Sequence, residues 1–170
     1  IEFLVIPNNV TSIGNGAFGY NQLISVVIGN GVTTIGQDAF YGNQLTSLVI
    51  PESVISIGQS AFGSNQLKSV VIPDSITSIG PYAFWANQLT SVVIGNGVTT
   101  IDSFAFANNQ LTSVVIPDSV TIIDTQAFYD NKLTEIIFER ETPTYIQSST
   151  FNNNPDLNAI YVPDNSVETY

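Results

Sequence analysis

The chain contains no cysteine, no histidine and no methionine, and its 170 residues carry only 3 Lys or Arg against 14 Asp or Glu. Without cysteine there is no disulfide and no thiolate metal site. Without histidine the commonest zinc ligand and near-neutral general base is gone as well, although carboxylate chemistry stays open. The net charge of −11 argues against nucleic acid, which is gripped by clustered Lys and Arg, and against anionic membrane surfaces. No run of about 18 apolar residues occurs, so no membrane insertion is expected. No cofactor and no metal site is implied. Charged residues make up only 10% of the chain, yet hydrophobic residues reach 44%, ample for a continuous core. A solenoid accounts for both figures, because each coil covers its neighbours and leaves Ser, Thr, Asn and Gln to meet water.

What the chain does have is one unit, repeated. Leu67 to Gln88 reads LKSVVIPDSITSIGPYAFWANQ, and near-copies fill the residues on either side. Ile1, Leu23, Leu45, Leu67, Leu89, Leu111 and Leu133 follow one another in steps of 22. A fixed period in this range marks a solenoid, whose units cannot bury their apolar face alone. The units run 1–22, 23–44, 45–66, 67–88, 89–110, 111–132 and 133–156, with a partial capping unit at 157–170, all within a single domain spanning 1–170.

Each unit divides into three parts. A short strand such as Ser69 to Ile72 alternates, sending Leu4, Val26, Leu48, Val70, Val92 and Val114 inward as a column, with Ile6 to Ile116 forming a second column at the same step. It stops at a corner that is either Pro-acid-Ser (Pro51, Pro73, Pro117) or Gly-Asn-Gly (29–31 and 95–97), both turn chemistries. A second extended segment, Val32 to Ile35 or Ile76 to Ile79, predicts a second, narrower parallel sheet. Gly14, Gly36, Gly58 and Gly80 then mark an expected positive-φ turn, with Asp102 and Asp124 in their place in later units. The remainder, x-x-Ala-Phe-x-x-Asn-Gln, is expected to form a single helical or 3-10 turn. It delivers Phe18, Phe40, Phe62, Phe84, Phe106 and Phe128 to the core. Asn21, Asn43, Asn65, Asn87, Asn109 and Asn131 are expected to satisfy backbone groups that the bend leaves unpaired.

The array degrades toward its end. One extra residue enters before Ile146 and another after Asn154, stretching the step from Leu133 to Leu157 to 24. Ser166 is placed to cap a short helix there. At the other end, Ile1 to Ile6 reads as an interior strand, so a raw edge is expected, with self-association through it. The chain opens on IEFLVIP, already inside a repeat and without a charged-then-apolar signal segment. It is expected to be an excised piece or mature fragment of something longer.

The pattern LxxVxIPxxVxxIGxxAFxxNxL, carried by Leu67, Val70, Ile72, Pro73, Ile76, Ile79, Gly80, Ala83, Phe84, Asn87 and Leu89, resembles the leucine-rich repeats of the Treponema or BspA-like type. Such repeats are found in bacterial surface proteins and in some parasitic protists. The resemblance covers nearly the whole chain, although the unit is a residue shorter than the commoner family length and Asn stands where many members have Cys. The expected fold is a mainly β repeat solenoid, a right-handed leucine-rich-repeat coil with a parallel sheet on the concave face, a second short-strand sheet, and single helical or 3-10 turns. Right-handed crossovers are the rule for parallel strands. The resemblance also implies adhesion to matrix proteins, bacteria or cell surfaces, and it carries no shared catalytic motif.

Function is expected on residues that point outward from this coil. Two rows leave the first strand: Ser25, Ser47, Ser69, Ser91 and Ser113, and Val5, Val27, Val49, Val71, Val93 and Val115. A Thr row, Thr46, Thr90 and Thr112, runs alongside and is broken by Lys68. Eight strands about 4.8 Å apart would make a ribbon of roughly 35 Å. Ser47, Val49, Lys68, Ser69, Val71, Ser91 and Val93 form the candidate binding strip for an extended partner; alternatively, the valines simply suit a strand and pack along their own ladder. Tyr41, Tyr82, Trp85 and Tyr129, with Tyr20 and Phe104, form a second candidate surface, or pack on one another between turns. Asp102 and Asp124 fall on adjacent turns, but no third ligand converges on them. The sequence therefore reads as a non-enzymatic protein-binding or adhesion module of a secreted or bacterial cell-surface, extracellular protein. Its partner would be a host or bacterial surface protein or glycan. The alternative is a structural spacer or stalk that presents another domain.

Overall fold

The computed structural model describes residues 2–142 and 144–164. Ile1, the first member of the leucine column, and Ser166, the expected cap, lie outside the described residues. The strands in chain order are β1 (Phe3–Ile6), β2 (Ser12–Ile13), β3 (Ser25–Ile28), β4 (Thr34–Ile35), β5 (Ser56–Ile57), β6 (Ser69–Val71) and β7 (Ser78–Ile79). They continue as β8 (Ser91–Val93), β9 (Thr100–Ile101), β10 (Ser113–Ile116), β11 (Ile122–Ile123), β12 (Glu135–Phe138), β13 (Tyr145–Ile146) and β14 (Ala159–Tyr161). Every pairing among them is parallel, and each joins one coil to the next. The molecule is a mostly β solenoid.

The two-residue strands form the unbroken sheet. β2, β4, β5, β7, β9, β11 and β13 pair in that order, with Ile13, Ile35, Ile57, Ile79, Ile101, Ile123 and Ile146 in register. The longer strands, which the sequence predicts as one ribbon, instead form separate blocks. β1 pairs with β3, β6 with β8, and β10 with β12 and β14, while residues 47–50 are not a strand at all.

The corner residue explains where the first sheet breaks. After each strand, the next N–H can donate back to the preceding coil, as Glu139 N does to Ile116 O at 3.0 Å. That position is Gly29, Gly95 or Glu139 where the strands pair, and Pro51, Pro73 or Pro117 at the three junctions where they do not. Proline has no N–H to give and is excluded from the interior of a ladder for that reason. Before Pro163 the pairing survives as far as Ile137↔Tyr161, the same point at which β6–β8 stops before Gly95, at Val71↔Val93, so proline disfavours the ladder without forbidding it. Beside the breaks Leu48 and Val92 are only half-buried, whereas Val26, Val70 and Val114 are buried.

The expected helical turn is absent, and its replacement is a pair of tight turns. Ala39 N donates to Gly36 O and Tyr41 N to Asp38 O, and the same i to i+3 bonds recur at Ala61 and Gly63 and at Ala83 and Trp85. Two residues per coil lie in the left-handed region, at 38, 60, 82, 104 and 126 (φ 54 to 59), and at 64, 86, 108 and 130 (φ 52 to 57). Glycine is needed at neither. The glycines expected to hold that conformation stand two residues earlier and serve a different purpose: a Cβ on Gly58 would lie 2.6 Å from Gln37 N and 2.7 Å from Gly36 C of the coil before it, so this position is a close backbone approach.

A helix loses here because the alternating conformation turns every second N–H toward the next coil. Asp38 N, Phe40 N and Gly42 N donate to Gln59, Ala61 and Gly63 carbonyls at 2.9, 2.8 and 3.0 Å. These inter-coil bonds hold residues such as Tyr82 and Phe104 in a conformation that costs an L-residue about 1–2 kcal/mol.

Inside the coil the columns stack as the period requires. Phe40, Phe62, Phe84, Phe106 and Phe128 are fully buried, with ring centroids 5.4 to 5.6 Å apart and near-parallel planes. Phe151 extends the stack at 5.7 Å. Leu45, Leu67, Leu89, Leu111 and Leu133 form a second buried column beside it.

Candidate functional site

The first-sheet face presents the valine row to solvent. Val49, in the unpaired segment, is 79% exposed, Val71 60% and Val93 58%, because the opposite residues of each strand carry the core contacts. Ser47, Ser69, Ser91 and Lys68 are exposed beside them. Of the Thr row, Thr90 Oγ1 donates to Lys68 O at 3.2 Å, and farther along the same line Thr134 Oγ1 donates to Thr112 O at 3.1 Å. Between β8 and β10, where Pro117 interrupts pairing, a groove of about 250 Å³ opens, lined by Val92, Val93, Asn96, Val115 and Glu139. At the first coil a cavity of about 230 Å³ lies against Leu4, Ile6, Val10, Ile13, Ala17 and Phe18.

The aromatics of the tight turns do two things at once. Tyr20 meets Tyr41 edge-on at 5.3 Å, Tyr82 stacks on Phe104 at 4.8 Å, and Tyr82 meets Trp85 edge-on at 6.3 Å, so packing between coils is real. They also line a groove of about 340 Å³, in which Tyr20, Tyr41, Tyr82 and Trp85 are joined by Asp38, Gln59 and Ser60. Tyr129 does not line it. The polar three were not singled out from sequence, but a signal was there: position 41 and its equivalents alternate Gly19, Tyr41, Gly63, Trp85, Ala107, Tyr129. Each large ring is followed by a small residue one coil on. A Cβ on Gly63 would come within 3.1 Å of the Tyr41 ring, which shows that the ring leans forward over the next coil.

The Asn row is scaffold. Asn87 Oδ1 accepts from Leu67 N at 3.0 Å, while Nδ2 donates to Phe62 O at 2.9 Å and Phe84 O at 3.2 Å. Asn43, Asn65, Asn109 and Asn131 repeat this, and Asn154 continues it. Among the described residues Asn21 makes one exposed bond, to Gly19 O. Asp102 and Asp124 do stand close enough to influence each other. Burial raises the Asp102 carboxyl above its usual value, a hydrogen bond from Ser78 Oγ opposes that, and the charge of Asp124 adds to the rise. Among the described residues no group of three His, Cys, Asp or Glu is placed to hold a metal ion.

A family model described as the BspA type leucine rich repeat region, in 6 copies, matches residues 1–109 and 77–170. Comparison with curated proteins returned no match. Among solved structures, the pneumococcal vaccine antigen PcpA is 21% identical with a TM-score of 0.72, covering 88% of this chain and 41% of that one. A leucine rich cell surface protein from Faecalibacterium prausnitzii A2-165 is 24% identical with a TM-score of 0.55, covering 96% and 60%. A leucine-rich repeat protein from Bacteroides ovatus ATCC 8483 is 23% identical with a TM-score of 0.53, covering 95% and 55%. The chain thus spans 60% or less of the length of each of these relatives, and at such identities the likeness is one of fold.

Proposed function

Because this chain belongs to the BspA-type leucine-rich repeat family, we infer that it is a non-enzymatic binding module of a bacterial surface or secreted protein. It engages a protein partner along the first-sheet face. The observation that carries this reading is the exposed valine row, since contiguous apolar surface on a folded chain marks contact sites. The cell-surface description of the Faecalibacterium relative supports the location. The seven-stranded sheet and the turn bonds tie each coil to the next behind this face, so an extended partner segment docking there costs little ordering of this side.

The test is capture of immobilised matrix proteins by the intact chain and by the Val71→Glu, Val93→Glu double variant. Loss of capture with an unchanged circular dichroism spectrum is expected. Capture that survives the two charges rules out the valine face, and an intact chain that captures nothing from the panel favours the spacer.

A further inference from the structure

We propose that the groove among the tight turns is a binding site for a neutral oligosaccharide, on a part of the coil separate from the valine face. Tyr41 and Trp85 come from coils two apart, which parallel packing at about 4.8 Å per step places roughly 10 Å from each other. The groove therefore offers aromatic surface at both ends and polar atoms in between. Ser60 is only 9% exposed, yet its hydroxyl makes no hydrogen bond within the described residues and lines the groove. The Gln59 amide and the Tyr41 and Tyr82 hydroxyls, in the same lining, are likewise unengaged. Trp85 Nε1 is already spent on Asn108 Oδ1 at 3.2 Å, so what this residue offers a ligand is its ring.

That set of groups selects the ligand class. Sugar rings present C–H faces that lie against aromatic rings and edge hydroxyls that both donate and accept, and this groove has donors and acceptors together. A cation would use the rings, the Asp38 carboxylate and the amide and hydroxyl oxygens but would give the Gln59, Ser60 and tyrosine N–H and O–H donors nothing to bond to. An anionic glycan meets Asp38 and a chain of net charge −11. Neutral saccharide is the class that leaves no group opposed.

Trp85 is the chain's one tryptophan, so its emission reports on this groove alone. Titration with cello-, xylo-, manno- and N-acetylglucosamine oligomers should give a saturable emission change for at least one of them. Tyr41→Ala should abolish it, and Gln59→Ala, at an exposed side chain with no hydrogen bond to lose, should weaken the affinity about tenfold, as loss of one well-made polar contact does. The Val71→Glu, Val93→Glu variant should respond like the unaltered chain, which separates this proposal from the one about the valine face. No saturable response to any of the four series, an undiminished response in Gln59→Ala, or saturation by tetramethylammonium alone would overturn it.

Discussion

At the scale of single residues, the asparagine at each bend decides more than its neighbours. Asn87 answers one buried N–H and two buried carbonyls belonging to two coils. Removing it strands Leu67 N, at about 1–3 kcal/mol before relaxation, while Phe62 O keeps Asn65 Nδ2 at 3.2 Å and Phe84 O keeps Asn109 Nδ2 at 2.9 Å. Asn87→Ala is therefore expected to lower stability by about 1–3 kcal/mol in urea unfolding, and Asn87→Asp to rescue little near neutral pH, because a carboxylate accepts from Leu67 N but sets a buried negative charge against the two carbonyl oxygens. Asn21→Ala, at an exposed side chain whose one bond among the described residues is to Gly19 O, should cost less. Asp102 works in the opposite sense. Its raised folded pKa means the folded chain holds the proton more tightly than the unfolded one, so its contribution is fully present below the unfolded value of 3.8 and is lost as pH rises through the folded value. Asp102→Asn keeps an acceptor for Ser78 and removes the charge. It should raise the melting temperature near neutral pH, with the difference shrinking as pH falls below the unfolded value.

At the scale of elements, the corner residue sets whether two coils join through the first sheet. If the missing N–H is the cause, Pro117→Glu, which copies the residue at 139, should let position 117 donate to Ile94 O as Glu139 N donates to Ile116 O. Amide exchange at 114–116 should then slow toward that of β12, by tenfold or more if one bond of about 1.4 kcal/mol closes. Unchanged exchange would place the cause in the twist of the coil. The prolines stand in plain view in the sequence, but as turn residues and not as gaps in a ladder, because the alternation Ser-Val-Val-Ile is the same before Gly95 as before Pro117. Periodicity was enough to place Phe62, Phe84 and Phe106 in the interior and the valines outside. It was not enough to tell a helical turn from paired left-handed turns, since Asp38, Ser60, Tyr82 and Phe104 share no residue type that favours positive φ. The groove was half legible: its aromatics stand out, but Asp38, Gln59 and Ser60 become neighbours only once adjacent coils are stacked.

At the scale of the whole molecule, the coil is a one-dimensional stack in which each layer's only partners are the layers above and below. The phenylalanine column makes that dependence measurable. Phe84 is sandwiched between Phe62 and Phe106 at 5.6 and 5.5 Å, and truncating such a ring typically costs about 3–5 kcal/mol. The loss falls on two interfaces in the middle of the stack, so the halves on either side become only weakly coupled. Phe84→Ala is therefore expected to convert a single urea transition into two, or to give one of reduced slope, because less surface is exposed in each cooperative step. Phe18→Ala removes a half-buried ring with one neighbour, Phe40, at 5.5 Å, and should fray the first coil while leaving the main transition and its slope intact. If both variants simply shifted one transition of unchanged slope, stability would be shared by the whole coil and the nearest-neighbour account of this solenoid would be wrong.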